Sequence, residues 1–165
     1  MKKLFCIAVF VGAACACGTP KPVTATAPAV SGSKSEIKGN WTLHTISYDQ
    51  TGTYNITLLA DTSKECFEGS TWRFIPNNNT GTYTINNGNC PTGDRNFIFT
   101  IQEVNSDTGL YDFLLKPTAK LGKPDDKTGF RLRLSQLSGT SMQWEQVVPL
   151  DGGDFKISMN FSKTN

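Results

Sequence analysis

The sequence predicts an all-β domain, a small eight-stranded antiparallel up-and-down barrel, and three observations predict it. Beyond residue 36, short runs of aromatic and β-branched residues alternate with polar ones, the period of strands with one buried and one wetted face. Turn residues punctuate those runs at Pro91-Thr92-Gly93-Asp94, Asn105 to Gly109, Pro117 to Thr128, Leu137-Ser138-Gly139 and Asp151-Gly152-Gly153. No window carries the 3.6-residue period of a long amphipathic helix. Sequential strands with short connections most simply form a meander, and closure of the meander removes edges that would otherwise aggregate. A two-sheet sandwich is the competing arrangement.

The chain opens with a targeting segment. Met1-Lys2-Lys3 is a charged start and Leu4 to Ala14 an apolar run, the pattern of a secretory signal. That run is far short of the roughly 20 residues a membrane-spanning helix needs. Its end, Gly12-Ala13-Ala14-Cys15-Ala16-Cys17-Gly18, resembles a bacterial lipobox, in which a cysteine is lipidated and becomes the mature N-terminus. Cys17, with Ala14 and Ala16 before it and Gly18 after it, is the expected lipidation site. Cys15, with Gly12 and Ala14, is the rival, and cleavage without lipid is the third reading. The division is therefore signal peptide 1–16, lipid-anchored flexible linker 17–36 and barrel domain 37–165. The linker holds Pro20, Pro22 and Pro28 among Ala, Ser and Thr, too little apolar surface to order itself.

Within the domain, Trp41 to Tyr48 reads as the first strand and Tyr54 to Leu59 as an extra short one. Phe67 to Pro76 and Thr82 to Ile85 flank Asn77-Asn78-Asn79-Thr80-Gly81, the signature of a hairpin. Cys66 and Cys90 stand outside its two ends, so antiparallel return brings them within disulfide reach. Cysteine arithmetic agrees: Cys6 and Cys15 leave with the signal, Cys17 takes the lipid, and Cys66 and Cys90 remain as a pair. A bond closing a loop of this length contributes about 3 kcal/mol. Later strands run from Asn96 to Gln102, Tyr111 to Lys116, Gly129 to Leu137, Ser141 to Val147 and Phe155 to Ser162.

Gly39-Asn40-Trp41 resembles the lipocalin G-x-W signature. With the run from Cys66-Phe67-Glu68-Gly69-Ser70-Thr71-Trp72-Arg73-Phe74 through Asn77-Asn78-Asn79-Thr80-Gly81-Thr82-Tyr83 to Cys90, residues 37 to 163 resemble the lipocalin-like lipoproteins of Bacteroidetes-type bacteria. The resemblance implies a lipid-anchored eight-stranded barrel in the cell envelope, on the outer membrane facing either the periplasm or the surface. Gly39 and Trp41 are then the barrel-closing signature. Lipocalins commonly carry an arginine on the last strand, packed across that tryptophan; here the strand ends Phe161-Ser162-Lys163, which leaves Lys163 a cation–π contact with Trp41.

Removing residues 1–16 takes away Lys2 and Lys3 and leaves 14 basic against 14 acidic side chains. That balance argues against nucleic acid, whose phosphates select an excess of Lys and Arg. Catalytic residues are not expected, and the chain reads as no enzyme. His44 is the single histidine and has no nucleophile motif beside it. Neither metal nor cofactor is expected: there is no C-x-x-C, and Asp125-Asp126 and Asp151-Gly152-Gly153-Asp154 lack calcium-loop spacing. A monomer is expected, with the lipid anchor as the membrane contact.

The interior is the remaining candidate site. Its expected lining is Phe74, Tyr83, Phe99, Phe113, Phe130, Leu132, Met142, Trp144, Ile157 and Met159. An eight-stranded barrel is either filled by such side chains or holds one small ligand. The first reading is a binding module for a small hydrophobic or amphipathic molecule. The second is a structural or protein-interaction lipoprotein, an inhibitor or envelope accessory, working through loops such as Asn105 to Gly109 and Leu121 to Thr128.

Overall fold

The alternation closes into a ring. The computed structural model describes residues 34–105, 110–120, 123–124, 128–150 and 152–164. The signal peptide, Cys17, the linker as far as residue 33, Asp125, Asp126, Asp151 and most of the two proposed working loops lie outside the described residues. Eight strands make the ring: β1 (Gly39–Tyr48), β4 (Thr71–Ile75), β5 (Thr80–Ile85), β6 (Gly93–Asn105), β7 (Leu110–Lys120), β9 (Phe130–Leu137), β10 (Ser141–Leu150) and β11 (Gly153–Thr164). Each pairs antiparallel with its sequence neighbour, and β11 returns to β1 through Asn40↔Thr164 to Tyr48↔Ile157. Three two-residue strands, β2 (Thr57–Leu58), β3 (Thr62–Ser63) and β8 (Lys123–Pro124), and two single-turn helices, α1 (Lys34–Ile37) and α2 (Lys64–Phe67), dress the two ends.

Two irregularities keep the apolar face inward. In β1 the register slips between Leu43 and Thr45, so His44 is an extra residue, and Leu43 and Ile46 are both buried although three positions apart. In β9 the slip against β10 does the same for Leu134 and Leu137. Without these bulges, period two would turn one residue of each pair to water.

Several expected boundaries need correction. The extra strand at Tyr54 to Leu59 shrinks to Thr57–Leu58, paired with Thr62–Ser63. Thr80 and Gly81 belong to β5, not to the turn, because Gly81 lies under the Phe97 ring: a Cβ there would overlap the ring and sit 2.7 Å from the Arg73 carbonyl oxygen. Gly93 and Asp94 likewise begin β6 instead of ending a turn. The run from Pro117, read as a connection, continues β7 to Lys120, with Pro117 opposite Phe97. Pairing of β7 with β9 stops at Leu115, so among the described residues no neighbouring strand carbonyl is left without the N–H that the proline lacks.

Candidate functional site

The N-terminal end of the barrel is closed by its signature residues. Gly39 has φ +116°, a conformation that side chains disfavour, and it turns the chain from α1 into β1. Trp41 is fully buried, and its indole N–H donates to the Ile37 carbonyl at 2.9 Å, which ties α1 beneath the ring. Lys163 lies 5.2 Å from the Trp41 ring centroid and donates to the Glu36 carbonyl at 2.9 Å. One lysine thus makes a cation–π contact and a chain tie at once.

Above that plug the interior is filled. Of the expected lining, Phe74, Tyr83, Phe99, Phe113, Leu132, Met142, Trp144, Ile157 and Met159 are buried, and Phe130 is partly buried. The centre is Trp72, which the alternation also turns inward. Its ring stacks on Tyr83 at 4.5 Å and meets Trp144 edge-on at 5.4 Å and Phe161 at 5.6 Å. Phe99 and Phe113 stack at 5.1 Å, and Phe113 stacks on Trp144 at 4.7 Å. These are the centroid separations of aromatic pairs in direct contact. Among the described residues the Trp144 indole N–H has no hydrogen-bond partner, so the ring serves as apolar filling.

The opposite end is covered by the segment between β1 and β4. Phe67 of α2 packs on Tyr83 at 5.5 Å, and Cys66 is bonded to Cys90, with Cα atoms 5.7 Å apart. The bond joins α2 to the β5–β6 connection; Cys66 is helical, not an extension of the hairpin strand. Part of this end stays open as a cavity of about 420 Å³, bordered by Asp61, Tyr83, Arg95, Pro117, Thr118 and Phe130. The Asp61 carboxylate accepts from Tyr83 Oη at 2.8 Å and from Arg95 Nε at 2.9 Å. Burial, then the Asp61 carboxylate, push the Tyr83 phenol well above its ordinary value. Arg95 also donates to the carbonyls of Pro91 and Gly93, so its guanidinium is a brace. Leu59 and Ala60, on the cavity's rim, are both held at positive φ, 50° and 54°. Such backbone costs on the order of 1–3 kcal/mol per residue, and the buried Leu59 and the Asp61–Arg95 pair offset it. Thr118 is 7% exposed, and among the described residues its hydroxyl has no hydrogen-bond partner.

The profile of the lipocalin-like domain family matches residues 37–144. The chain belongs to that family. The match ends at Trp144, within β10, so the strand that closes the ring lies beyond it. The fold is also similar to a lipocalin-like protein from Bacteroides uniformis, with TM-score 0.48 and 9% sequence identity over 78% of this chain and 99% of that one. No curated protein matches the sequence.

In this lipocalin-like domain the sequence reading chose core residues and overlooked the mouth. Only Tyr83 and Phe130 of the ten expected lining residues border the cavity. Arg95 was within reach of sequence reasoning, because it stands two positions from Phe97 on one face of β6. Asp61 left no local signal, since its partners come from 22 and 34 positions away. His44 is exposed on the outer wall and shares a hydrogen bond with Ser162 Oγ; among the described residues no carboxylate orients its ring. Among the described residues no group of three or more His, Cys, Asp or Glu side chains is placed to hold a metal ion, and no helix is long and apolar enough to cross a membrane.

Proposed function

We propose that this lipocalin-like protein is a non-enzymatic lipoprotein of the bacterial cell envelope, anchored through Cys17, that binds a small amphipathic molecule at the mouth of its barrel. The observation that carries the reading is the contrast between an interior closed by ring-to-ring contacts and a cavity of about 420 Å³ beside it. Small-ligand sites have this scale, a largely apolar lining and a few fixed polar groups. Here Phe130 and Pro117 supply the apolar side, and the unpartnered Thr118 hydroxyl supplies a polar group. The ligand is therefore short enough to stay outside the Trp72 stack.

Native mass spectrometry of the full protein purified from its own envelope tests the reading. The expected mass carries diacylglyceryl and acyl groups on Cys17, lacks two hydrogens at Cys66 and Cys90, and includes a small passenger lost on denaturation. The same covalent mass with no passenger, repeated across growth conditions, removes the ligand. That outcome favours the second reading, a packed barrel acting on a protein partner, for which the filled interior speaks.

A further inference from the structure

The outer wall holds a second cavity that neither the core nor the mouth requires. Phe97, Phe99, Phe113, Leu115 and Leu132 point inward, so Ile98, Leu114, Lys116 and Arg131 stand on the outside of β6, β7 and β9. Register brings them together, through Ile98↔Lys116 and Leu114↔Arg131. They border a trough of about 570 Å³ that reaches the β4–β5 turn at Asn79, whose buried side-chain oxygen has no partner among the described residues. The outward face of an antiparallel barrel strand is ordinarily its wetted face. Half-buried Ile98 opposite Lys116, and half-buried Leu114 opposite Arg131, are not explained by that rule.

The charges give the trough a direction. The Lys116 side chain has no ion pair among the described residues. Arg131 faces Asp112 at 3.5 Å but leaves 70% of its side chain exposed, and the same carboxylate stands opposite Arg133 in the register. Among the described residues, cationic charge therefore exceeds anionic charge at this border. We infer that the trough binds a free single-chain fatty carboxylate, its chain along Ile98 and Leu114 and its carboxylate between Lys116 and Arg131. One trough of this volume lies within the range of a small-ligand site and suits one chain. The trough shares Phe130 with the mouth, but Ile98, Leu114, Lys116 and Arg131 border the trough alone.

Photolabelling of the full, processed protein in envelope membranes tests the assignment, with a palmitate analogue carrying a diazirine in its chain and the alcohol of the same chain. The acid is expected to form adducts on β6 and β7 around Ile98 and Leu114, and the alcohol about fivefold fewer, the loss of one charge-assisted contact. Lys116→Gln with Arg131→Gln should bring acid labelling down to the alcohol level, and Leu114→Glu should abolish both. Thr118→Val, at the mouth, should leave the adducts unchanged. Equal labelling by acid and alcohol overturns the inference. So do adducts confined to Leu59–Asp61 and Arg95, or labelling unaffected by the double glutamine variant, which preserves the fold because both side chains lie on the wetted wall.

Discussion

The two halves of the barrel are built from the same strands yet behave as different materials. Along β6 the inward sequence is Phe97 and Phe99 in the middle and Arg95 towards the mouth. Along β7 it is Phe113 and Leu115, then Pro117. Where large rings face inward, they meet across the ring and exclude everything else. Where a guanidinium and a proline replace them, and β9 no longer pairs beyond Leu115, a cavity remains. A one-step change in inward side-chain size, at an unchanged strand period, separates core from site.

Substitutions should fall into two groups along this division, and the largest effect belongs to the core. Trp72→Ala removes a ring in contact with Phe67, Phe74, Tyr83, Phe97, Trp144 and Phe161. It should cost about 3–5 kcal/mol in chemical denaturation, enough to threaten a domain whose total stability is about 5–15 kcal/mol. Phe130→Ala, at the cavity edge, should cost less than half as much. Equal costs would mean that the mouth is core after all.

Next is the covalent tie. Replacing both Cys66 and Cys90 by Ser should lower stability by about 3 kcal/mol, because the bond closes a loop of 24 residues. Its structural consequence should be local. Hydrogen exchange ought to quicken in α2 and the β5–β6 connection while the amides pairing β10 with β11 stay protected. Uniform loss of protection would break the distinction between the two ends.

A third test uses pH. Tyr83 is raised above its ordinary value near 10, so the folded state keeps a proton that the unfolded chain releases. The stabilisation is complete below pH 10 and is lost as pH climbs above it, by up to about 1.4 kcal/mol per pH unit. Tyr83→Phe should remove this part of the alkaline slope in denaturation measured between pH 9 and 11, a range taken around that ordinary value. An unchanged slope would show that the phenol is not held by burial and Asp61.

These tests bear on the parts of the molecule that sequence reading reached and the parts it missed. The eight ring strands were legible because Phe97, Phe99 and Ile101, or Phe155, Ile157, Met159 and Phe161, repeat every second position, which is local information. The Cys66–Cys90 clasp was legible because a hairpin returns its own ends. The bulge at His44 was not, since it takes the partner strand to show that Leu43 and Ile46 share a face. Pro117 was misread as the end of a strand because a proline reports only its missing N–H, and whether a neighbour needs that N–H is a property of the sheet. The mouth was missed for the same reason: Asp61 acquires its meaning from Tyr83 and Arg95, which arrive from distant strands.

The smallest effect is the sharpest test of the division. Among the described residues the Thr118 hydroxyl is buried without a partner, so in a pure core Thr118→Val would relieve a desolvation penalty of about 1–3 kcal/mol and raise stability. A binding mouth makes a further demand, because the hydroxyl is there for a polar group that arrives with the ligand. The variant should therefore be up to about 1 kcal/mol more stable when empty, and should carry less passenger in native mass spectrometry than the wild type. Gain of stability with undiminished passenger would place the ligand elsewhere. Loss of stability would mean the hydroxyl is already satisfied and that the mouth, like the Trp72 stack, exists to hold the barrel shut.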